Sequence, residues 1–338
     1  MRRELKQQFL NDEIESIDQI SCTTIPGCDE LNEKLDEKGV EGIFISQKIE
    51  KLLTIMNKCH KEIKTKVYNE EKDKILAFES FCVDLIGSFF ERRGLKKKSV
   101  LPHFFALLLN DLNVSIIFCL INFKEGKQLK KLIKIYFENF VKEQKEEIRN
   151  LLLFTNVKSL KKVALFLSRL NKVLKPLMIK SYLINLEFIL LNFAQETIWN
   201  NLINISDISE DEIDDLILIC KEAIELGKEG ASGKGTGNDI RSDTGSGTGS
   251  DTRNDIRDQD KQFSCLLKFK PKLKCFEKIL NSSLIEIINL YRQKEFKEIS
   301  DAELAQIIKS IFASSPLRNE FIKELELGDD YGNEEDYF

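Results

Sequence analysis

The residues that stop a helix are scarce in this chain. Five prolines occur in 338 residues, and the 16 glycines are concentrated in one segment, so most of the sequence runs on without a breaker. Through these runs apolar side chains return at steps of three and four, the period of a helix with one face in a core. Strict alternation of polar and apolar residues, the mark of a half-buried strand, never persists for more than a few positions. The expected fold is all-α, built as elongated tandem helical bundles.

Composition bounds the partners. A chain of this length buries roughly three quarters of its unfolded surface and has room for one to three domains. Lysine plus arginine number 51 against 56 aspartates and glutamates, and the net charge of -5 gives no global reason to expect nucleic acid or anionic lipid. The balance favours protein partners or none. Cysteines at 22, 28, 59, 82, 119, 220, 265 and 275 form no CxxC pair, and the start "MRRELKQQFLNDE" lacks the apolar core of a secretory signal. Free thiols in a reducing, cytosolic or nuclear compartment are expected.

Residues 1–70 read as an N-terminal helical arm, with a loop around Cys22, Pro26, Gly27 and Cys28. In "GIFISQKIEKLLTIMNKCHKEIKTKV" the spacing of Ile45, Ile49, Leu52, Leu53 and Met56 predicts a helix despite the strand-like start at Ile43 to Ile45. A central bundle is expected over 71–227. Its first helix runs from Lys72 to Arg93 with Phe78, Phe81, Cys82, Leu85, Phe89 and Phe90 on one face, ended by Gly94 and a cationic turn. Pro102 opens the next, where its missing N–H matters little. The stretch from Phe104 to Phe123 is the most apolar of all and long enough to span a bilayer. Asn110, Asp111, Asn113 and Asn122 would be costly in lipid, so a helix buried inside a bundle is the expectation. Helices follow over Lys127 to Leu153, Leu160 to Leu174 and Ser181 to Leu202, with Pro176 marking a break. Ser209 and Glu212 form a capping box for a helix through Leu216, Ile219 and Cys220, with Gly227 as its stop. Residues 228–262, rich in Gly, Ser and Asp, are expected to be a disordered loop; helices over 263–327 pack back on the bundle, and 328–338 form an acidic tail.

Reactive chemistry is hard to assemble from these residues. "GASGKGTG" (Gly230 to Gly237) resembles a phosphate-binding loop, but Lys234 is followed by Gly235 rather than Ser or Thr, and no strand precedes it. His60 and His103 have no sequence neighbours suited to a metal site or triad, and adjacent Cys59 and His60 point to different sides of a helix. The acidic pairs Asp214 with Asp215 and Asp329 with Asp330 read as solvated charge. Basic runs at Arg92, Arg93 and Lys96 to Lys98, and at Lys127, Lys130, Lys131 and Lys134, read as helix-end and outward-facing charge. No catalytic, cofactor-binding or metal-binding residue is expected, and the chain reads as a non-enzyme.

The C-terminal part carries a resemblance. "FKPKLKCFEKILNSSLIEIINLYRQKEF" followed by "ISDAELAQIIKSIFASSPLRNEFIKEL" resembles the end of the Zeste-white ten kinetochore and vesicle-tethering family. The matching positions are Ser283, Leu284, Glu286 and Ile287, then Glu303, Ile307, Ile308, Ile311, Phe312 and Arg318. "ISDISEDEIDDLILICKEAI" and the Asn110–Asp111 segment agree more loosely, so the resemblance covers about Phe104 to Leu327. Tyr291 stands where the family often has tryptophan, and the family's full N-terminal coiled-coil portion is not matched. The resemblance implies a helical-rod scaffold subunit of an endoplasmic reticulum tether for Golgi-derived vesicles, or of the Rod and Zwilch checkpoint assembly at kinetochores. It also implies a large helical solenoid as protein partner, no small-molecule substrate, no direct nucleic-acid contact, and a cytoplasmic place at the membrane reached through partners. Ser300 with Glu303 gives a capping box, Pro316 starts the last helix, and Lys309, Arg318, Glu320 and Lys323 are the expected partner-facing residues.

Overall fold

A computed structural model describes residues 20–22, 28, 31–33, 44–66, 72–95, 101–124, 126–226 and 267–328. The arm before residue 20, Pro26 and Gly27, Lys96 to Lys98, Gly227, the whole Gly/Ser-rich segment 228–262 with its "GASGKGTG", and the tail from residue 329 lie outside the described residues. What is described is helical almost throughout, as the periodicity predicts. The chain divides into two compact units, residues 1–144 with 170–186, and residues 145–169 with 187–338.

In the first unit a short antiparallel pair joins β1 (Ile20–Cys22) to β2 (Phe44–Ser46), with Ile20 opposite Ser46 and Cys22 opposite Phe44. Strands therefore stand where the sequence pattern predicts a loop, at Cys22, and the start of a helix, at Phe44 and Ile45. Three-residue pairing is decided by a distant partner, which periodicity does not see. β2 runs directly into α1 (Gln47–Lys66), which buries Ile49, Leu52, Leu53 and Met56. α2 (Lys72–Leu95) continues through Gly94, two residues past the expected end at Arg93, and buries Phe78, Cys82, Leu85, Phe89 and Phe90.

α3 (Pro102–Asn122) starts with Pro102 in its first turn and is the centre of the unit. It is long and apolar enough to cross a membrane, and 83% of its most apolar window is buried inside the protein. Asp111 and the Asn110 amide nitrogen have partners there. Asp111, fully buried, accepts from the Ser46 amide at 2.6 Å and the Ser46 hydroxyl at 2.7 Å, so a carboxylate sits at the N-terminal end of α1, where the helix dipole favours negative charge. Asn110 donates to the carbonyls of Phe44 at 3.0 Å and Leu177 at 2.5 Å, tying the strand and the turn around Pro176 to one helix. Gly126, at φ 144°, makes the turn into α4 (Lys127–Leu151) in a conformation that a side chain would strain. Phe140 of α4 stacks on Phe105 with centroids 3.9 Å apart, and the Tyr136 hydroxyl donates to the Phe90 carbonyl at 2.6 Å.

α5 (Val157–Leu174) and α6 (Lys180–Ile203) are separated by residues 175–179, which hold Pro176. In the second unit α7 (Glu210–Glu225) begins with the expected box, Glu212 accepting from the Ser209 amide at 3.0 Å, and buries Leu216, Ile219 and Cys220. α8 (Phe269–Leu280) packs against α7 and buries Leu273, Phe276 and Ile279. α9 (Leu284–Arg292), α10 (Asp301–Ile311) and α11 (Pro316–Gly328) follow in quick succession.

Candidate partner-binding surface

Glu303 organises the second unit's C-terminal helices. Ser300 precedes α10 with an extended backbone, and its amide donates to Glu303 Oε2 at 3.0 Å while the Glu303 amide donates to Ser300 Oγ at 3.3 Å. The other oxygen, Oε1, accepts from the Trp199 indole of α6 at 3.0 Å, and Lys272 of α8 sits 2.8 Å from both oxygens. Lys272 also lies over the Trp199 ring at 5.4 Å, and Phe276 meets the same indole edge-on at 6.1 Å. One carboxylate thus joins three helices. Burial raises the Glu303 pKa, but the bonds from Lys272, Ser300 and Trp199 outweigh it and hold the group below its ordinary value. A second box caps α9, where Ser283 accepts from the Glu286 amide and Glu286 accepts from the Ser283 amide at 2.7 Å.

The apolar residues that recur at steps of three and four along α10 divide. Leu304, Ile307 and Ile308 are buried, whereas Ile311 and Phe312 are only half-buried. On α11, Phe321, Ile322 and Leu325 face inward, and Tyr291 of α9 meets Phe321 edge-on at 5.5 Å.

The four expected partner-facing residues fall into two groups. Lys309 is exposed but pairs with Glu326 at 2.9 Å. Arg318 is half-buried and donates to the Lys309 carbonyl at 3.3 Å, so this pair closes α10 onto α11. Glu320 and Lys323 are exposed on the outer arc of α11. The sequence reading missed that Leu317 and Leu327 share this arc, 43% and 61% exposed. Leu317 lies three residues before Glu320 and Leu327 three residues after Glu324, and that helical spacing carries the signal.

Elsewhere, His60 is buried in α1, bonded to Glu79 at 2.8 Å and edge-on to Phe123 at 5.1 Å. Burial lowers its pKa, more than the Glu79 bond raises it. His103 is half-buried on α3. Asp214, Asp215, Lys127, Lys130, Lys131 and Lys134 are exposed, and Lys134 pairs with Glu138 at 3.8 Å. Burial pushes the Cys59 and Cys275 thiols up, and that of Cys220 to about 12, so none is poised as a thiolate. Among the described residues no three His, Cys, Asp or Glu side chains gather to hold a metal ion. Comparison with protein families and with characterised proteins found no match to this chain.

Proposed function

We propose that this chain is a scaffold subunit of a vesicle-tethering or kinetochore assembly of the Zeste-white ten type, docking a large helical partner on the outer arc of α11. The observation that carries the reading is that arc: Leu317 and Leu327 stand exposed at its two ends with Glu320, Lys323 and Glu324 between them. Apolar anchors flanked by charges of both signs suit packing against another helix, where the anchors bury and the charges set register. The residues that carry the family resemblance support the reading in a second way. Ser283, Glu286 and Glu303 cap helices, and Ile287, Ile307 and Ile308 fill the core, so the shared pattern maintains the platform beneath the arc.

The test is affinity purification of the tagged chain from cells. Tether subunits, or Rod and Zwilch, are expected among the captured proteins, and Leu317→Glu with Leu327→Glu should lower their recovery by about tenfold or more. A capture containing neither set overturns the assignment.

A further inference from the structure

The second unit carries a basic face that the net charge conceals. No aspartate or glutamate occurs from residue 148 to residue 186, in a chain that is otherwise slightly acidic. Within the second unit, Lys158, Lys161, Lys162, Leu165 and Arg169 of α5 are all exposed and fall within an arc of roughly 100° at helical spacing. The opposite face of α5 buries Ser159, Leu160 and Val163, so the helix is seated and its basic arc turned outward. Lys161 approaches Glu222 of α7 at 4.0 Å; Lys158, Lys162 and Arg169 make no ion pair among the described residues.

The loop that leads directly into α5 adds exposed hydrocarbon at the start of that helix. Leu153 is 69% exposed and Phe154 78%, the most exposed large apolar side chains described. The loop that displays them is held. Asn201 of α6 donates to the Leu152 carbonyl at 3.1 Å and the Thr155 hydroxyl at 2.8 Å, and Asn156 accepts from the Ser159 amide at 2.9 Å to cap α5. Leu165, 50% exposed, stands among the lysines.

We infer that this face binds the surface of an anionic lipid bilayer, with the cations of α5 in the headgroup layer and Leu153 and Phe154 inserted at the acyl boundary. A nucleic acid or an acidic polypeptide would satisfy the lysines but leave Leu153, Phe154 and Leu165 in water. A lipid interface takes up both. The inference goes beyond the scaffold reading and does not depend on it, since it needs no protein partner.

The experiment is sedimentation of the full chain with vesicles of phosphatidylcholine containing about a third phosphatidylserine, and with phosphatidylcholine alone. Binding to the anionic vesicles that weakens with added salt is expected. Each lysine near such a surface contributes about fivefold to partitioning, so Lys158→Gln, Lys161→Gln and Lys162→Gln together should cost about 100-fold. Phe154→Ser should cost about tenfold and leave the salt dependence intact. All four positions are exposed, and Trp199 fluorescence verifies that the variants fold. The matched triple Lys130→Gln, Lys131→Gln and Lys134→Gln on α4 should bind like the parent. The inference is overturned if the anionic vesicles are not bound, if the α4 triple loses as much as the α5 triple, or if the chain binds double-stranded DNA or polyglutamate at salt where vesicles are not bound.

Discussion

Replacing Glu303 by alanine should loosen the second unit by an amount that can be worked out bond by bond. The change removes the acceptor for the Ser300 amide, a cap worth about 1 kcal/mol. It removes the acceptor for the Trp199 indole, about 1 kcal/mol more. It also breaks the pair with Lys272, whose side chains are 25% and 21% exposed, so that solvent screening leaves about 1 kcal/mol. The sum is about 3 kcal/mol, which at a urea slope of about 2–3 kcal/mol/M lowers the unfolding midpoint by about 1 M. Trp199 is the chain's one tryptophan and touches Glu303, so its fluorescence reports on this unit. Glu303→Gln keeps an acceptor but loses the charge and should cost about half as much. A double-mutant cycle with Lys272→Met should return a coupling of about 1 kcal/mol. The pH dependence has a definite sign. Glu303 is held below its ordinary 4.5, so the unfolded state takes up its proton first, and the contribution is full above that value and lost as pH falls through the folded pKa. If both Glu303 variants unfold at the parental midpoint, or the coupling is zero, the carboxylate does not join the three helices energetically and the reasoning fails.

In the first unit, Asp111→Ala removes both acceptors for Ser46 and should destabilise by about 3–5 kcal/mol, seen as faster hydrogen exchange over 44–66; unchanged exchange would contradict it. His60 has a folded pKa below its ordinary 6.5, so acidification through that value should weaken the first unit as the unfolded state gains the proton; His60→Gln should remove that part of the pH slope. Iodoacetamide should spare Cys220 in the native protein and reach it only on unfolding, with Cys275 reacting sooner, as peptide mapping would show. Ser283→Ala should cost about 1 kcal/mol in urea unfolding through loss of its box with Glu286.

Helix positions were legible because they depend on neighbours three and four residues away. Pro102, Ser209 with Glu212 and Ser300 with Glu303 mark helix starts where the structure has them. The β1–β2 pair was not legible, since Cys22 and Phe44 meet across 22 residues. Glu303 was read as a cap alone because Lys272 and Trp199 lie 31 and 104 residues away. The lysines of α5 were visible singly, but which of them share a solvent face with Leu165 is settled by what α5 buries. A whole-chain charge of -5 averages that face away. Lys309 and Arg318 show the converse, charged residues whose contacts with Glu326 and each other turn part of their reach inward.

The order in which a ribosome delivers this chain gives α3 a particular history. When that apolar, bilayer-length segment emerges, β2, α1 and α2 have already been made, and Ser46 and Phe44 are waiting for Asp111 and Asn110. The last acceptor, the Leu177 carbonyl, arrives 67 residues later. Cover for the greasiest part of the nascent polypeptide is therefore available upstream from the outset, and synthesis of the turn after α5 adds the final latch.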